Sequence, residues 1–287
     1  MFNLLKTTTI SFPGLGIGEF QVDSVAFSIG KFSIAWYALI ITFGMILCVL
    51  YIMSRAKRIG ISYEEILDFA LFVIPIGILG ARLYYVFSEI DRYDSLKDVF
   101  NIRNGGLAIY GGIIAGGITV YVICKIKKIY FPAFADCVVP GLILAQSIGR
   151  WGNFMNGEAY GYETDIFIRM GLDFGWGMKY FHPTFLYESL WNMLGFVLIN
   201  IFYKHKKYDG QIFLMIFGWY GLGRMLIEGL RTDSLYFNLF GHAFRTSQVL
   251  AGVLFIVCTG ALVYFAIKKP KSELYFRNKS LKQENGD

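Results

Sequence analysis

Residues 32–58 run FSIAWYALIITFGMILCVLYIMSRAKR, and this stretch decides the class of fold. From Phe32 to Ser54 there is no charged side chain, and the run is longer than the roughly 20 apolar residues that cross a bilayer core as helix. Arg55, Lys57 and Arg58 follow at once. An apolar run ending in a basic cluster is the signature of a membrane span whose trailing end faces the cytoplasm.

The rest of the chain repeats the pattern. Further candidate spans cover 64–87, 106–124, 131–151, 184–203, 210–229 and 246–267. Lys125, Lys127 and Lys128 follow the third, and Lys204, Lys206 and Lys207 follow the fifth. Lys268, Lys269, Lys271, Arg277, Lys279 and Lys282 follow the last. More than half of the 27 Lys and Arg residues therefore fall on one side of a seven-span arrangement, which the positive-inside rule makes cytoplasmic. The expectation is an all-α polytopic membrane protein with seven transmembrane helices, its N-terminus outside and its C-terminus in the cytoplasm. Three parts are expected: an extracytoplasmic arm at 1–31, amphipathic or strand-like; a transmembrane domain at 32–267 carrying a small extracytoplasmic head at 152–183; and a cytoplasmic tail at 268–287. The arm lacks the continuous apolar core of a cleaved signal peptide.

Composition agrees. Of the 287 residues, 55% are hydrophobic and 17% charged, against about 25% charged in soluble domains, and the mean hydropathy is +0.50. The net charge of +6 lies in the loops between spans, which speaks for membrane topology and against a nucleic-acid partner. Cys48, Cys124, Cys137 and Cys258 stand singly in apolar runs, and His182, His205 and His242 are scattered. No metal site is expected.

Ionisable residues inside lipid are costly and by default mark function. Arg82, Arg150, Glu188, Arg224 and Glu228 all fall near the outer ends of their spans, level with Tyr37 and Tyr110. Tyr220, Arg224 and Glu228 are spaced by four, which stacks them on one helical face that Arg231 continues. Taken alone, Arg224 and Glu228 read equally as a neutralising pair. With Arg150 at the same height on another helix, an anion site is the better reading, because a guanidinium fork suits phosphate. Asp68 and Asp136, nearer the cytoplasmic ends, read as structural partners. Ala108, Gly112 and Gly116 form a small-residue face for close helix packing, with Gly105–Gly106 or Gly111–Gly112 as an alternative phosphate cradle.

Three motifs then join these positions. Gly149-Arg150-Trp151-Gly152-Asn153-Phe154-Met155-Asn156-Gly157-Glu158, with Gly161 three residues on, closely resembles the signature of bacterial prolipoprotein diacylglyceryl transferases. His182-Pro183-Thr184-Phe185-Leu186-Tyr187-Glu188 is similar to that family's second motif. Tyr220-Gly221-Leu222-Gly223-Arg224, followed by Glu228 and Arg231, is similar to its third. Trp36-Tyr37 also fits, and the resemblance covers essentially the whole chain.

The resemblance implies transfer of the sn-1,2-diacylglyceryl group of phosphatidylglycerol to the lipobox cysteine thiol of a preprolipoprotein. A thioether forms and glycerol 1-phosphate leaves. It implies a multi-pass protein of the bacterial plasma (inner) membrane, with no cofactor. Carried over by position, Tyr37, Arg150, Asn153, Gly161, Tyr220 and Arg224 are functional, with Glu158, Glu228 and Arg231 in support. Asn156, His182 and Glu188 belong to the substrate-binding set through the same motifs. Some members carry a histidine before the Gly-Gly of the third span, suggested as the base; here Tyr110 precedes Gly111-Gly112. Tyrosine, with a free pKa of about 10, is a poor base at neutral pH, so Tyr110, Glu228 and a substrate phosphate oxygen all stand as candidates for the thiol proton.

A transporter of an organic anion or lipid is the rival reading. It calls for charge near the bilayer midplane and favours an inverted repeat, whereas these charges are skewed to one end. An intramembrane protease is a weaker rival, since Arg224 occupies the place a G-x-G-D aspartate would take.

Overall fold

The computed structural model describes residues 7–30, 32–93, 99, 105–173, 175, 177–239, 242–268 and 274–276. Residues 1–6 and 31 of the expected arm, and the expected tail at 268–287 apart from 268 and 274–276, lie outside the described residues. The chain divides into two compact units. One contains Val49–Cys137; the other contains the described residues up to Cys48 together with Val138–Leu274.

Seven long helices are present among the described residues: α1 (Trp36–Ala56), α2 (Tyr63–Ser88), α3 (Ile109–Ile126), α4 (Phe131–Met155), α5 (Thr184–Phe202), α6 (Gln211–Glu228) and α7 (Thr246–Lys268). All but α6 are long and apolar enough to cross a membrane. The apolar stretch of α6 is shortened by Gln211 at one end and by Arg224 and Glu228 at the other. Charge that serves a site thus lowers the hydropathy by which a span is recognised.

Three boundaries differ from expectation by three or four residues, each for a local reason. Phe32–Ala35, expected as the start of the first span, is instead strand β4, paired antiparallel with β3 (Val25–Ile29). Gly30 turns that hairpin at φ +59, and the Ser28 and Ser33 hydroxyls meet across it at 2.9 Å. The third helix begins at Ile109 because Gly105 and Gly106 take φ values of +81 and +84, outside the helical region. The fourth runs on to Met155, so the first signature motif rides on its last turns and C-terminal cap. There the Glu158 amide donates to Asn153 O at 3.1 Å, and Gly157 turns the chain at φ +61.

The structure is mostly helical, and the connecting segments carry strands: those within 1–31 fit the strand-like reading of the arm, whereas those at 170–173, 179–181, 236–239 and 242–245 were not expected. β1 (Thr7–Phe12) and β2 (Ile17–Asp23) lie in one sheet with β5 (Met170–Asp173) and β6 (Lys179–Phe181), in the antiparallel order β2-β1-β5-β6. Residues from 1–31 and 152–183 therefore share one small core of Ile10, Phe12, Val22, Met170 and Leu172 packed on Phe185 of α5. A further hairpin, β7 (Tyr236–Leu239) and β8 (His242–Arg245), leads into α7.

In the unit containing Val49–Cys137, α2 is started by a capping box between Ser62 and Glu65 and packs on α3 through glycine. A Cβ at Gly111 would stand 2.2 Å from Gly80 O, and one at Gly80 would stand 2.3 Å from Ala115 Cβ. The expected small-residue face is used, with Gly112 facing Gly77; the closest approach is one residue earlier, at Gly111. Gly105 and Gly106 serve packing too. Buried Arg82 donates to the carbonyls of Val99 at 2.7 Å and of Gly105 and Gly106 at 2.8 Å. Asp68 pairs with Lys127 at 2.8 Å, as its structural reading expects.

In the other unit, α5 is joined to its neighbours by two reciprocal sets of hydrogen bonds. Ser147 Oγ of α4 donates to Ser189 O of α5 at 2.8 Å, and Ser189 Oγ donates to Ser147 O at 2.9 Å. Trp191 Nε1 of α5 donates to Trp219 O of α6 at 3.0 Å, and Trp219 Nε1 donates to Trp191 O at 2.9 Å. The two indoles stack with centroids 4.3 Å apart.

Candidate active site

The first signature motif fixes the C-terminal end of α4, the second the start of α5, and the third the C-terminal end of α6. Ion pairs bring these three ends together. Glu188, in the second turn of α5, is buried at their junction. Its Oε2 lies 2.7 Å from Arg150 Nη2. Its Oε1 accepts from Arg224 Nη1 at 2.9 Å and from Arg231 Nη1 at 3.0 Å. One carboxylate thus gathers guanidiniums from two helices and the turn after α6.

Each arginine is held a second time. Arg224 Nη2 pairs with Glu228 Oε2 at 2.5 Å, one helical turn on. Arg231 makes a bidentate pair with Asp233, at 2.9 Å from Nε and 2.6 Å from Nη2. Arg150 Nη1 donates to Asn153 Oδ1 at 3.3 Å; Asn153 in turn donates to Glu158 at 2.9 Å, and Asn156 donates to the same oxygen at 3.1 Å. Arg150 keeps 23% of its side chain exposed and Arg224 15%, whereas Glu188 keeps 4% and Glu228 1%. The carboxylates lie beneath, and the two helix-borne arginines face outward.

Burial works against the charge on Arg231, but hydrogen bonds to Asp233 and the charges of Glu188 and Asp233 outweigh it, holding the guanidinium above its ordinary pKa. Burial likewise pushes the Asp233 carboxyl up, and the hydrogen bonds and charge of Arg231 more than reverse this, leaving it below its usual value. Burial lowers the His182 imidazole, whose Nδ1 lies 3.2 Å from the Tyr187 hydroxyl.

Backbone pairing ties the strand-bearing segment to the cluster. Gly161 N donates to His182 O, and Tyr162 N donates to Leu230 O, both at 2.9 Å. A Cβ on Gly161 would stand 2.6 Å from Leu230 O, so only glycine lets the segment close on Arg231. Tyr37, the second residue of α1, packs on Gly152, where a Cβ would stand 2.8 Å from its ring. Tyr220 sits one turn before Arg224 on α6.

Arg150, Asn153, Asn156, Glu158, Glu188, Arg224, Glu228 and Arg231 therefore form one connected network, with Tyr37, Gly161, His182 and Tyr220 on the elements that carry it. Tyr110 belongs to the other compact unit, where it is the second residue of α3. Among the described residues, no group of three or more His, Cys, Asp and Glu is placed to hold a metal.

Sequence reasoning missed two members. Asp233 follows Arg231 by two residues, close enough to be read as its partner. Arg245 donates to Glu228 O at 2.7 Å, to the Tyr162 hydroxyl at 2.8 Å and to the Tyr236 hydroxyl at 3.0 Å. The signal for Arg245 was its position: a basic residue just before an apolar span, at the end away from the basic loops.

Beside the cluster, a groove of about 490 Å³ opens between α1, α4 and α5. Its wall is almost wholly apolar, including Trp36, Ile40 and Phe43 of α1, Ile148 and Trp151 of α4, and Leu190 of α5.

Residues 24–264 match the family model described as prolipoprotein diacylglyceryl transferase. A protein of Listeria innocua is 42% identical over 263 residues, covering 88% of this chain and 94% of its own. One of Streptococcus pneumoniae is 46% identical over 267 residues, covering 89% and 98%. One of Clostridium perfringens is 46% identical over 224 residues, covering 75% and 86%. All three bear the name phosphatidylglycerol–prolipoprotein diacylglyceryl transferase. With its family model matched over most of its length and its arginine network built from that family's motifs, the chain belongs to the prolipoprotein diacylglyceryl transferases.

Proposed function

We propose that this chain transfers the diacylglyceryl group of phosphatidylglycerol to the lipobox cysteine of a preprolipoprotein. The observation that carries the proposal is the convergence of Arg150, Arg224 and Arg231 on Glu188 at one end of the bundle. The relatives' shared name supports it. In the reaction the cysteine sulfur attacks the glyceryl carbon that bears the phosphate. The carbon–oxygen bond breaks, a thioether forms, and glycerol 1-phosphate leaves with the bonding electrons.

Negative charge grows on the departing phosphate, and fixed donors in a site shielded from water lower such a barrier most. Arg150 and Arg224 supply those donors. Glu188 and Glu228 hold them in place, so little reorganisation accompanies the step. Asn153, Asn156 and Glu158 orient Arg150 and the headgroup. Tyr37, Gly161, His182, Tyr220 and Arg231 shape the headgroup side. The apolar groove beside Trp151 takes an acyl chain. Glu228, already engaged by Arg224, is the weakest of the three candidates for the thiol proton.

In this reading all seven helices span the bacterial plasma (inner) membrane, α6 included. The N-terminus and the cluster face outward, and the basic loops face the cytoplasm, as the positive-inside rule favours. The arm at 1–31 and the head at 152–183 lie outside, and the tail at 268–287 lies inside.

The test is purified protein with phosphatidylglycerol and a lipobox peptide, in cysteine and serine forms, followed by mass spectrometry. The cysteine peptide alone is expected to gain a diacylglyceryl group, with glycerol 1-phosphate released in equal amount. Absence of that gain, with phosphatidylglycerol or an organic anion crossing liposomes instead, would establish the transporter alternative.

A further inference from the structure

The two reciprocal hydrogen-bond sets that flank Glu188 have a shared geometry. On one side of α5, the hydroxyls of Ser147 and Ser189 each donate to the other's carbonyl, and Trp151 Nε1 donates to Ser189 Oγ at 3.1 Å. On the other side, the indoles of Trp191 and Trp219 do the same, stacked within 17° of parallel. Ser189 directly follows Glu188, and Trp151 directly follows Arg150. Trp191 lies three residues beyond Glu188, about 4.5 Å along the helix axis. Trp219 lies five residues before Arg224.

Glycine makes the tryptophan pair possible. A Cβ at Gly195 would stand 2.4 Å from Trp219 Nε1, and one at Gly223 would stand 2.2 Å from Trp191 Nε1. Each helix therefore carries Trp-x-x-x-Gly, and each tryptophan lies over the other helix's glycine. Tryptophan in membrane proteins is commonest at the interfaces; these two lie near the middle of α5 and α6, where an unmet indole N–H would be costly. A slide of either helix by a fraction of a turn would break both bonds at once. Packing by apolar side chains alone would tolerate such a slide, because lipid and side chain are equally apolar.

We infer that Ser147, Ser189, Trp191 and Trp219 are positioning residues for diacylglyceryl transfer. They fix α5 in register with α4 on one side and α6 on the other, and so set the placement of Glu188 between Arg150 and Arg224. The inference rests on the transferase reading given above. The residues act through the arginines and touch no reacting atom; their polar groups are already spent on carbonyls.

Because the arginines act most strongly on charge that develops in the transition state, loss of register lowers kcat before it changes KM. Misplacement of about 1 Å can lower rate on the order of a hundredfold. Ser189→Ala and Trp219→Phe, each assayed per folded molecule, are expected to lower kcat by about tenfold or more; for Trp219, which lies outside the groove that Ser189 helps to line, KM for phosphatidylglycerol stays within about twofold of wild type. Ser189→Thr, which keeps the donor, restores kcat.

Unchanged kcat in the folded variants, or a change in KM alone, overturns the inference. If only one of the two variants folds, that one decides. If neither folds, the bonds are scaffold alone and the inference fails. A wild-type protein that makes no thioether defeats the transferase reading and this inference with it; an active wild type beside fully active variants defeats the inference alone.

Discussion

Three guanidiniums around the carboxylate of Glu188 would repel one another without it, and the pocket is too buried for water to screen them well. Glu188→Gln keeps the shape and removes the charge. Breaking a buried ion pair in this way costs about 3–5 kcal/mol, so a clear fall in melting temperature is expected, together with a large fall in turnover. A melting temperature equal to wild type would show that the arginines do not depend on this carboxylate. Asp233 supplies a pH signature. Its carboxyl is held below its usual value, so the stability that the Arg231–Asp233 pair lends is complete above the ordinary aspartate pKa of about 4. It is lost as pH falls through the lower folded value. The melting-temperature gap between wild type and Asp233→Asn should therefore be constant near neutrality and close below about pH 4. Tyr110→Phe probes the proton acceptor: turnover within about tenfold of wild type is expected, and a loss beyond about a hundredfold would assign the proton transfer to the tyrosine. At this scale the motifs made Arg150, Arg224 and Glu228 legible, because charge in an apolar run is conspicuous. The sharing of one glutamate by three arginines was not legible, since it depends on how helices distant in sequence meet.

Helices are set here by small residues as much as by apolar ones. Gly111 lets α3 approach α2 so closely that a single methyl would meet the Gly80 carbonyl. Gly111→Ala is expected to destabilise by about 1–3 kcal/mol through overpacking, read as a lower melting temperature in detergent. An unchanged value would mean that the helices part at no cost. Six of the seven helices met their hydropathy expectation, and the seventh formed although its charges mask it. The strands were less legible. Residues 7–12 and 170–173 pair across four of the long helices, and nothing local to either segment announces the other. Arg82 shows the same limit: its burial suggested function, while its bonds to Val99, Gly105 and Gly106 make it a clasp for the chain before α3.

For the molecule as a whole, the charge network around Glu188 is expected to face the outer leaflet. Single cysteines placed at Tyr162 and at Lys206, in a chain whose four native cysteines are replaced, should be labelled by an impermeant maleimide from outside and only after lysis, respectively. The reverse pattern would invert the topology. In the proposed reaction two planar cations are held against a departing phosphate, and Arg224→Lys is the variant that probes this. Lysine keeps the charge and loses the fork. Normal insertion into the membrane is expected, with a loss of thioether formation on the order of a hundredfold or more, the scale for removing a fixed transition-state donor. Near wild-type thioether formation by Arg224→Lys would contradict it.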